Sequence, residues 1–358
     1  MNIVIFAGAG FSAPYGFPTM NNFFDVLYDY GNMGTNESQL VTWLRRHCRR
    51  AGSMLEGPHN NLEHVLTFDS LNKSYDAEHE YDTYFANIIS KVYTRSLTNS
   101  GLLSLHQICN LFDAWNHKHN ICFITTNYDI LIEGAYASLG MPLYLPGVWS
   151  EQAIHEGSST FPLYSRTTGN TRHSICKLHG SVNWEASTIQ DSDNDSVITN
   201  IVGSMTSFQI HTGSSQRPIA TTKYPELLLA ETDMPKFNAH IIPPTFSKGY
   251  SAEMIDAQWL HAHKALSEAR EIHFIGYSFP STDTHMRYFI ASALARNEHI
   301  RKINIINPEA ESIYTRLIDR KTGFGHEFEQ KLTYENTGWI EKLPQQSRPH
   351  RIRRIQIS

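Results

Sequence analysis

The stretch that most limits the fold is a β-branched, apolar run from Asn2 to Ala7 that ends at Gly8-Ala9-Gly10. A short run of this kind without polar alternation is typical of a strand buried on both faces, as in a parallel sheet. Glycines directly after it allow a tight turn and a close approach of backbone to backbone. The sequence therefore predicts a buried parallel strand that leads into a tight turn.

Similar apolar runs recur along the chain and alternate with helical periodicity. The further predicted strands are Ile121 to Thr125, Ile175 to Leu178, Glu271 to Ile275 and Lys302 to Ile306. The clearest helical patterns are Glu253 to Arg270 and His285 to Arg296. Strands that alternate with helices predict an α/β fold, a doubly wound parallel sheet flanked by helices.

Three segments do not fit this alternation. Residues 21–110 have helical periodicity and predict a helical insertion, whereas residues 185–235 are rich in Ser, Thr, Asp and Asn and predict a variable flap. We expect a single domain over residues 1–344 and a basic tail over residues 345–358. The tail holds a basic cluster, Arg348 to Arg354, which is either a solvated segment or a docking element for a protein or nucleic acid.

Composition limits the classes of function. The 358 residues carry a net charge of -5, without the basic excess typical of nucleic-acid-binding proteins, so direct nucleic-acid binding is not expected. We expect a cytoplasmic protein without a membrane span, because the N-terminus lacks a basic signal-peptide region and no apolar stretch reaches about 18 residues. The cysteines form no C-x-x-C pair and are interpreted as buried thiols: Cys48, Cys109, Cys122 and Cys176.

The first loop fits a dinucleotide-binding pattern. Gly8 to Ala13 reads G-x-G-x-x-A, in which glycines let the backbone approach a pyrophosphate. However, Pro14, Gly16 and Pro18 break the following helix early, and no acidic ribose anchor ends a neighbouring strand. These departures argue against a hydride-transferring dehydrogenase.

Five landmarks occur in a fixed order along the chain. The first loop reads G-A-G-F-S-A-P-Y-G-F-P from Gly8 to Pro18, and Thr125 to Asp129 reads T-T-N-Y-D. They are followed by His179-Gly180, Gly276-Tyr277-Ser278 and Asn307. This series resembles the SIR2 (sirtuin) family, in particular its bacterial SIR2-like branch of NAD-consuming antiphage defence proteins.

The resemblance implies a sirtuin-type Rossmann-like fold with NAD as substrate, cleaved at the anomeric carbon of the nicotinamide ribose. It implies that Asn127 orients the ribose hydroxyls or a water molecule and that His179 is the general base, a role suited to imidazole. The cofactor-binding residues implied in the same way are Gly8, Ala9, Gly10, Phe11, Ser12, Phe17, Pro18, Thr125, Tyr128, Asp129, Gly276, Ser278 and Asn307.

Each of the singled-out residues also has a structural interpretation. Asn127 fits a turn at a strand end and Asp129 a helix N-cap, while His179 fits a buried core histidine. Asp283 is a helix cap rather than a catalytic carboxylate by its position. No metal site is predicted, because His261 and His263 would point to different faces of one helix.

The sequence departs from the deacylase sirtuins at three points. Thr126 replaces the glutamine of the second motif, both C-x-x-C pairs are missing, and no F-G-E-like segment of the acyl-lysine tunnel is found. No structural zinc is therefore expected, and water becomes the expected acceptor of the ADP-ribosyl group.

These departures favour an NAD glycohydrolase that gives ADP-ribose and nicotinamide and acts as a regulated effector of antiphage defence. By resemblance it would form a homo-oligomer or act with a partner such as a HerA-like ATPase or a short Argonaute. Two alternatives stay open: an NAD-dependent protein deacylase or ADP-ribosyltransferase, and a non-catalytic subunit that senses NAD or ADP-ribose.

Overall fold

A computed structural model describes the strands and helices around the predicted landmarks. It covers residues 2–20, 22–23, 119–129, 131–138, 143–147, 164–165, 173–190, 197–202, 239–241, 253–281, 283–319, 323 and 326–336. The predicted helical insertion apart from residues 22–23, most of the predicted flap and the basic tail lie outside these residues.

Within the described residues, eight parallel strands form the main sheet and three antiparallel strands form a second one. The main-sheet strands are β1 (Asn2–Ala7), β2 (Asn120–Thr125), β3 (Leu143–Tyr144), β4 (Tyr164–Ser165), β5 (His173–Lys177), β9 (Glu271–Ile275), β10 (Lys302–Ile306) and β11 (Leu332–Glu335). The second sheet contains β6 (Gly180–Gln190), β7 (Val197–Val202) and β8 (Ala239–Ile241).

The helices in the described part of the chain are α1 (Ala9–Ser12), α2 (Leu131–Ser138), α3 (Glu253–Glu268), α4 (Thr284–Leu294) and α5 (Ala310–Ile318). Two 3₁₀ turns, Ala13–Tyr15 and His326–Lys331, complete them. None of these helices is long and apolar enough to cross a membrane.

The strand order is β11-β10-β9-β1-β2-β5-β3-β4. On one side of β1 lie β2, β5, β3 and β4, and on its other side lie the later strands β9, β10 and β11. The order therefore reverses next to β1, which is the topological switch point where doubly wound sheets bind ligands. This confirms the predicted parallel α/β fold, and the predicted strands agree with the observed ones within two residues at each end.

One face of the sheet carries the main core. Alternate residues of β1 and β2, such as Phe6 and Ile124, point to the same face as α3, α4 and α5 and are fully buried there with Leu266 and Ile290. Side chains on a strand alternate between faces, so this set is continuous across neighbouring strands. The two helices predicted from periodicity, α3 and α4, both belong to this layer.

The opposite face packs against α2. Phe123 contacts the ring of Tyr136 edge to face, with centroids 5.6 Å apart. Burial raises the pKa of Tyr136, so its hydroxyl stays protonated at neutral pH and hydrogen-bonds Nδ1 of His173 at 2.9 Å. Helices thus cover both faces of the sheet, as expected for parallel strands.

The described part of the predicted flap is not part of the main sheet. Residues 185–190 of β6 pair with β7 in an antiparallel ladder, and β6 also pairs with β8. The segment thus contains strands that the sequence interpretation did not assign, because its polar, Ser- and Thr-rich composition hid them.

A buried ion pair joins β5 to α2. Nζ of Lys177 lies 2.9 Å from Oε1 of Glu133, and the two side chains are 0% and 1% exposed. The same ammonium group donates to the backbone carbonyl of Asp129. Two charges removed from water hold together only when each faces the other and the remaining hydrogen bonds are made. Through the bond to the Asp129 carbonyl, the pair therefore holds the T-T-N-Y-D loop, Thr125 to Asp129, in place.

We expect Lys177→Met to destabilise the protein by about 3–5 kcal/mol, because it removes the positive charge that faces the buried Glu133 carboxylate. The double variant Lys177→Met, Glu133→Leu should recover most of that loss, since both charges leave the core together. Equilibrium denaturation of the three proteins measures both effects. A single variant with the stability of the wild type would show that the pair does not hold the loop.

Candidate functional site

Five neighbouring strands of the main sheet have their carboxyl ends at the same level. Ala7 lies opposite both Thr125 and Ile275, Thr125 lies opposite Lys177, and Ile275 lies opposite Ile306. The residues that follow these strands therefore share one edge of the sheet, at the switch point. All five landmarks recognised in the sequence come together on this edge.

The first loop and the loop after β9 are interlocked through their backbones. Gly8 N–H donates to the carbonyl of Ile275 at 3.0 Å, and Gly10 N–H donates to that of Gly276 at 2.9 Å. Gly276 has φ +65°, and a Cβ on it would lie 2.1 Å from the backbone nitrogen of Phe11. Glycine is thus required by the contact between the two loops, and two amide groups of the predicted phosphate loop serve that contact.

Aromatic packing anchors the loop after β9. Tyr277 contacts Phe6 at a centroid distance of 4.8 Å and Phe279 at 4.7 Å, and its hydroxyl donates to Oδ2 of Asp283 at 2.9 Å. Phe279 takes a left-handed φ of 49°, a strained conformation for a non-glycine residue that the surrounding packing must stabilise. The loop is therefore held rigidly from the core side, while Ser278 is exposed.

The cap interpretation of Asp283 is confirmed. Asp283 is the N-cap of α4, and its side chain accepts the N–H of Met286. Its second oxygen holds Tyr277, so the cap also fixes the loop.

Asn127 is held by three hydrogen bonds. Its Nδ2 group donates to the Gly8 carbonyl at 2.9 Å and to Oγ of Ser12 at 3.1 Å, and its backbone N–H donates to Oγ1 of Thr125 at 3.0 Å. The Thr125 hydroxyl in turn donates to the Ala7 carbonyl. Both hydrogens of the Asn127 side-chain amide are used in these bonds, so the plane of the side chain is fixed. The side chain is 8% exposed.

The polar chain continues from Ser12 to Asp129. The Ser12 hydroxyl donates to Oδ2 of Asp129 at 2.7 Å, and Oδ1 of Asp129 accepts the N–H of Leu131 at the start of α2 at 3.0 Å. Asp129 therefore also fits the helix-cap interpretation. Asn127, Ser12 and Asp129 form a connected buried network, which we call the Asn127–Ser12–Asp129 chain.

His179 follows β5 on the same edge of the sheet, in an aromatic environment. Its ring centroid is 6.5 Å from that of Tyr128 and 6.3 Å from that of Trp259, and the side chain is 5% exposed. Leu178 N–H donates to the Thr125 carbonyl and Trp259 Nε1–H to the Leu178 carbonyl, so the segment is clamped between β2 and α3. This geometry fits either a catalytic or a structural histidine.

The other predicted ligands occupy different positions along the edge. Phe17 and Pro18 are buried at the end of the first loop. Asn307 uses its side-chain oxygen to accept the N–H of Glu309 at 3.0 Å, and its backbone N–H donates to the Glu335 carbonyl. Asn307 is thus positioned by the turn before α5.

The sequence interpretation missed two residues that contact the candidate site or its supports, Gln258 and Trp259. Gln258 is fully buried; its Oε1 accepts the Lys177 N–H at 3.0 Å and its amide donates to the Pro146 carbonyl. A signal existed, since Gln258 lies three residues after Ile255 and four before Ala262 on the apolar face of a predicted helix. Trp259, which borders His179, had the same signal, since it lies four residues after Ile255 and three before Ala262 and packs against the core.

The edge thus brings together an amide, a carboxylate, a hydroxyl and an imidazole. Their arrangement suits the orientation of a polyhydroxylated ligand by hydrogen bonds.

One of the comparisons with known proteins identifies the family of the chain. A solved structure described as Sir2Tm bound to a propionylated peptide is similar over 95% of this chain and 89% of that chain, with 12% identity and a TM-score of 0.34. A search of curated proteins found no match. The family model of the SIR2-like domain matches residues 121–325, more than half of the chain. The chain therefore belongs to the SIR2-like domain family.

Proposed function

We propose that this SIR2-like protein is an NAD glycohydrolase that converts NAD and water to ADP-ribose and nicotinamide. Family membership supports an NAD-related function. The observation that carries the finer proposal is that the buried Asn127–Ser12–Asp129 chain shares with His179, which contacts Tyr128, the edge where the strand order reverses. A ligand-binding edge with an oriented amide and a nearby imidazole suits hydrolysis at a ribose carbon.

The proposed reaction breaks the bond between the anomeric carbon and the nicotinamide nitrogen, and the electron pair leaves with nicotinamide. The transition state resembles an oxocarbenium ion, as in glycoside hydrolysis. A water oxygen then bonds to the anomeric carbon, and His179 accepts the proton that this water loses. The products are nicotinamide, ADP-ribose and one proton.

Asn127 would orient the water or the ribose hydroxyls. Its amide plane is set by Gly8 and Ser12, so it needs no reorganisation when the substrate binds, and preorganised groups of this kind lower the entropic part of the barrier. Tyr128 and Asp129 would lie near the nicotinamide carboxamide, and the loops at Gly8 and Gly276 near the phosphates.

The proposed biological role is depletion of NAD in antiphage defence, under control of a trigger. Unregulated NAD hydrolysis would harm the cell that makes the protein, so we propose that activity depends on self-assembly or on a partner such as a HerA-like ATPase or a short Argonaute. The test is nicotinamide release by the purified protein, alone and with a candidate partner. Acyl-lysine removal from a peptide, dependent on NAD, would favour the deacylase alternative instead.

His179→Ala should lower nicotinamide release by about 10²-fold or more, because general-base catalysis contributes on that scale. NAD binding, measured by calorimetry, should be largely retained, since proton transfer acts in the transition state. The matched control is His285→Ala, which removes an exposed histidine that contacts the same Trp259 ring at 4.9 Å and should keep wild-type turnover. Full turnover by His179→Ala would exclude His179 as the base.

Asn127→Ala should be at least as damaging to turnover, because no neighbouring group replaces the lost positioning of ribose or water. NAD binding should survive, since the proposed phosphate contacts come from the Gly8 and Gly276 loops. Because the change also removes hydrogen bonds to Gly8 and Ser12, stability should fall by about 1–3 kcal/mol. Thermal unfolding checks that the variant is folded at the assay temperature. Wild-type turnover would contradict the assigned role.

A further inference from the structure

Two cysteines and one histidine meet on the face of the sheet that packs against α3. The ligand atoms of Cys122, Cys176 and His261 all lie within 4.8 Å of one another, and the two Sγ atoms are 4.0 Å apart. The cysteines are 8% and 0% exposed, and both are free thiols. This cluster shares no residue with the Asn127–Ser12–Asp129 chain and has no part in the proposed hydrolysis.

The fold explains why these residues meet although they are far apart in sequence. Cys122 lies on β2 opposite Ser174 of β5, and Ile124 lies opposite Cys176. The two cysteines are therefore diagonal neighbours on adjacent parallel strands, and residues two apart on a strand share a face. Helix α3 crosses this face and brings His261 to the pair.

The donor set has the chemistry of a zinc site. Thiolate sulfur and imidazole nitrogen are the preferred ligands of Zn²⁺ in proteins, and Cys₂His sets occur in sites that leave one position to water. Zn–S bonds of about 2.3 Å in a tetrahedral site place two sulfurs about 3.8 Å apart. The observed 4.0 Å between the Sγ atoms is close to that distance, so little movement would be needed.

The ring of His261 is oriented by two neighbours. Its Nε2 hydrogen-bonds Oγ of Ser174 at 3.3 Å, and the ring of Tyr144 packs edge to face against it with centroids 5.4 Å apart. Outer contacts that fix the ring of a ligating histidine are usual at metal sites.

We propose that Cys122, Cys176 and His261 bind one Zn²⁺ ion that cross-links β2, β5 and α3. Two thiolates balance the charge of the ion, so the bound group is neutral in a buried environment. The expectation of a zinc-free protein rested on the missing C-x-x-C pairs, whereas this site is formed by residues that only the folded sheet brings together. Its place is behind the strands whose ends carry Asn127 and His179, where it would brace the candidate site.

The test is metal content and zinc binding of the full chain, purified with reductant and then freed of metal by a chelator. We expect close to one Zn²⁺ per chain to rebind and to raise the unfolding temperature. Co²⁺ in its place should give the near-ultraviolet absorption of a thiolate-bound cobalt ion. His261→Ala and Cys176→Ala should each weaken zinc binding by at least about tenfold.

The matched control is His263→Ala on the same helix. His263 hydrogen-bonds Ser292 instead, at 3.1 Å, so its loss should leave zinc binding unchanged. Circular dichroism identifies variants that fail to fold. His261 is partly exposed, so His261→Ala should disturb the core less than Cys176→Ala does. Absence of zinc binding by the folded wild type, or equal binding by folded His261→Ala and Cys176→Ala, would overturn the proposal.

Discussion

The contact between Gly8, Gly10 and Gly276 is the constraint on which the candidate site depends. Neighbouring parallel strands lie about 4.8 Å apart, and the loops that leave β1 and β9 must turn within that spacing. A side chain on Gly8 would lie 2.6 Å from the Gly276 carbonyl oxygen, and one on Gly10 would lie 2.8 Å from the Gly276 Cα. The two turns can meet only because each of these three residues is a glycine and carries a hydrogen where other residues carry a side chain. The carbonyl of Gly8 then lies where Asn127 reaches it, so the polar chain follows from this packing.

The centre of the fold was accessible from sequence because most residues of the central strands are buried. Asn2 to Ala7, Glu271 to Ile275 and Lys302 to Ile306 match the observed strands residue for residue, since short runs rich in β-branched and apolar residues are typical of strands. The edge strand Leu332–Glu335 was missed because two of its four residues are exposed and its pattern is polar. The short helices α2 and α5 were missed for a related reason, as eight or nine residues give too few turns for a clear period.

The landmarks of the candidate site were found as motifs, but the way they connect was not. Nothing in a linear sequence indicates that the Ser12 hydroxyl lies between Asn127 and Asp129, more than a hundred residues later. Lys177 stood next to a recognised motif, yet its burial against Glu133 became visible only when β5 was placed against α2. Partners of this kind depend on strand register, which sequence patterns do not specify across long separations. The insertion over residues 21–110 and the tail over residues 345–358 stay predictions.

The position of β1 in the middle of the sheet has a consequence for the order of folding. Asn2 pairs with Asn120, and Ile3 pairs with Glu271, so the central strand must wait for partners that are synthesised long after it. Closing such long loops costs entropy before any native contact repays it, which slows folding and exposes apolar surface meanwhile. The loops at Gly8 and Gly276 can meet only once β9 has been made. A nascent chain therefore has no assembled candidate site before β9 is made.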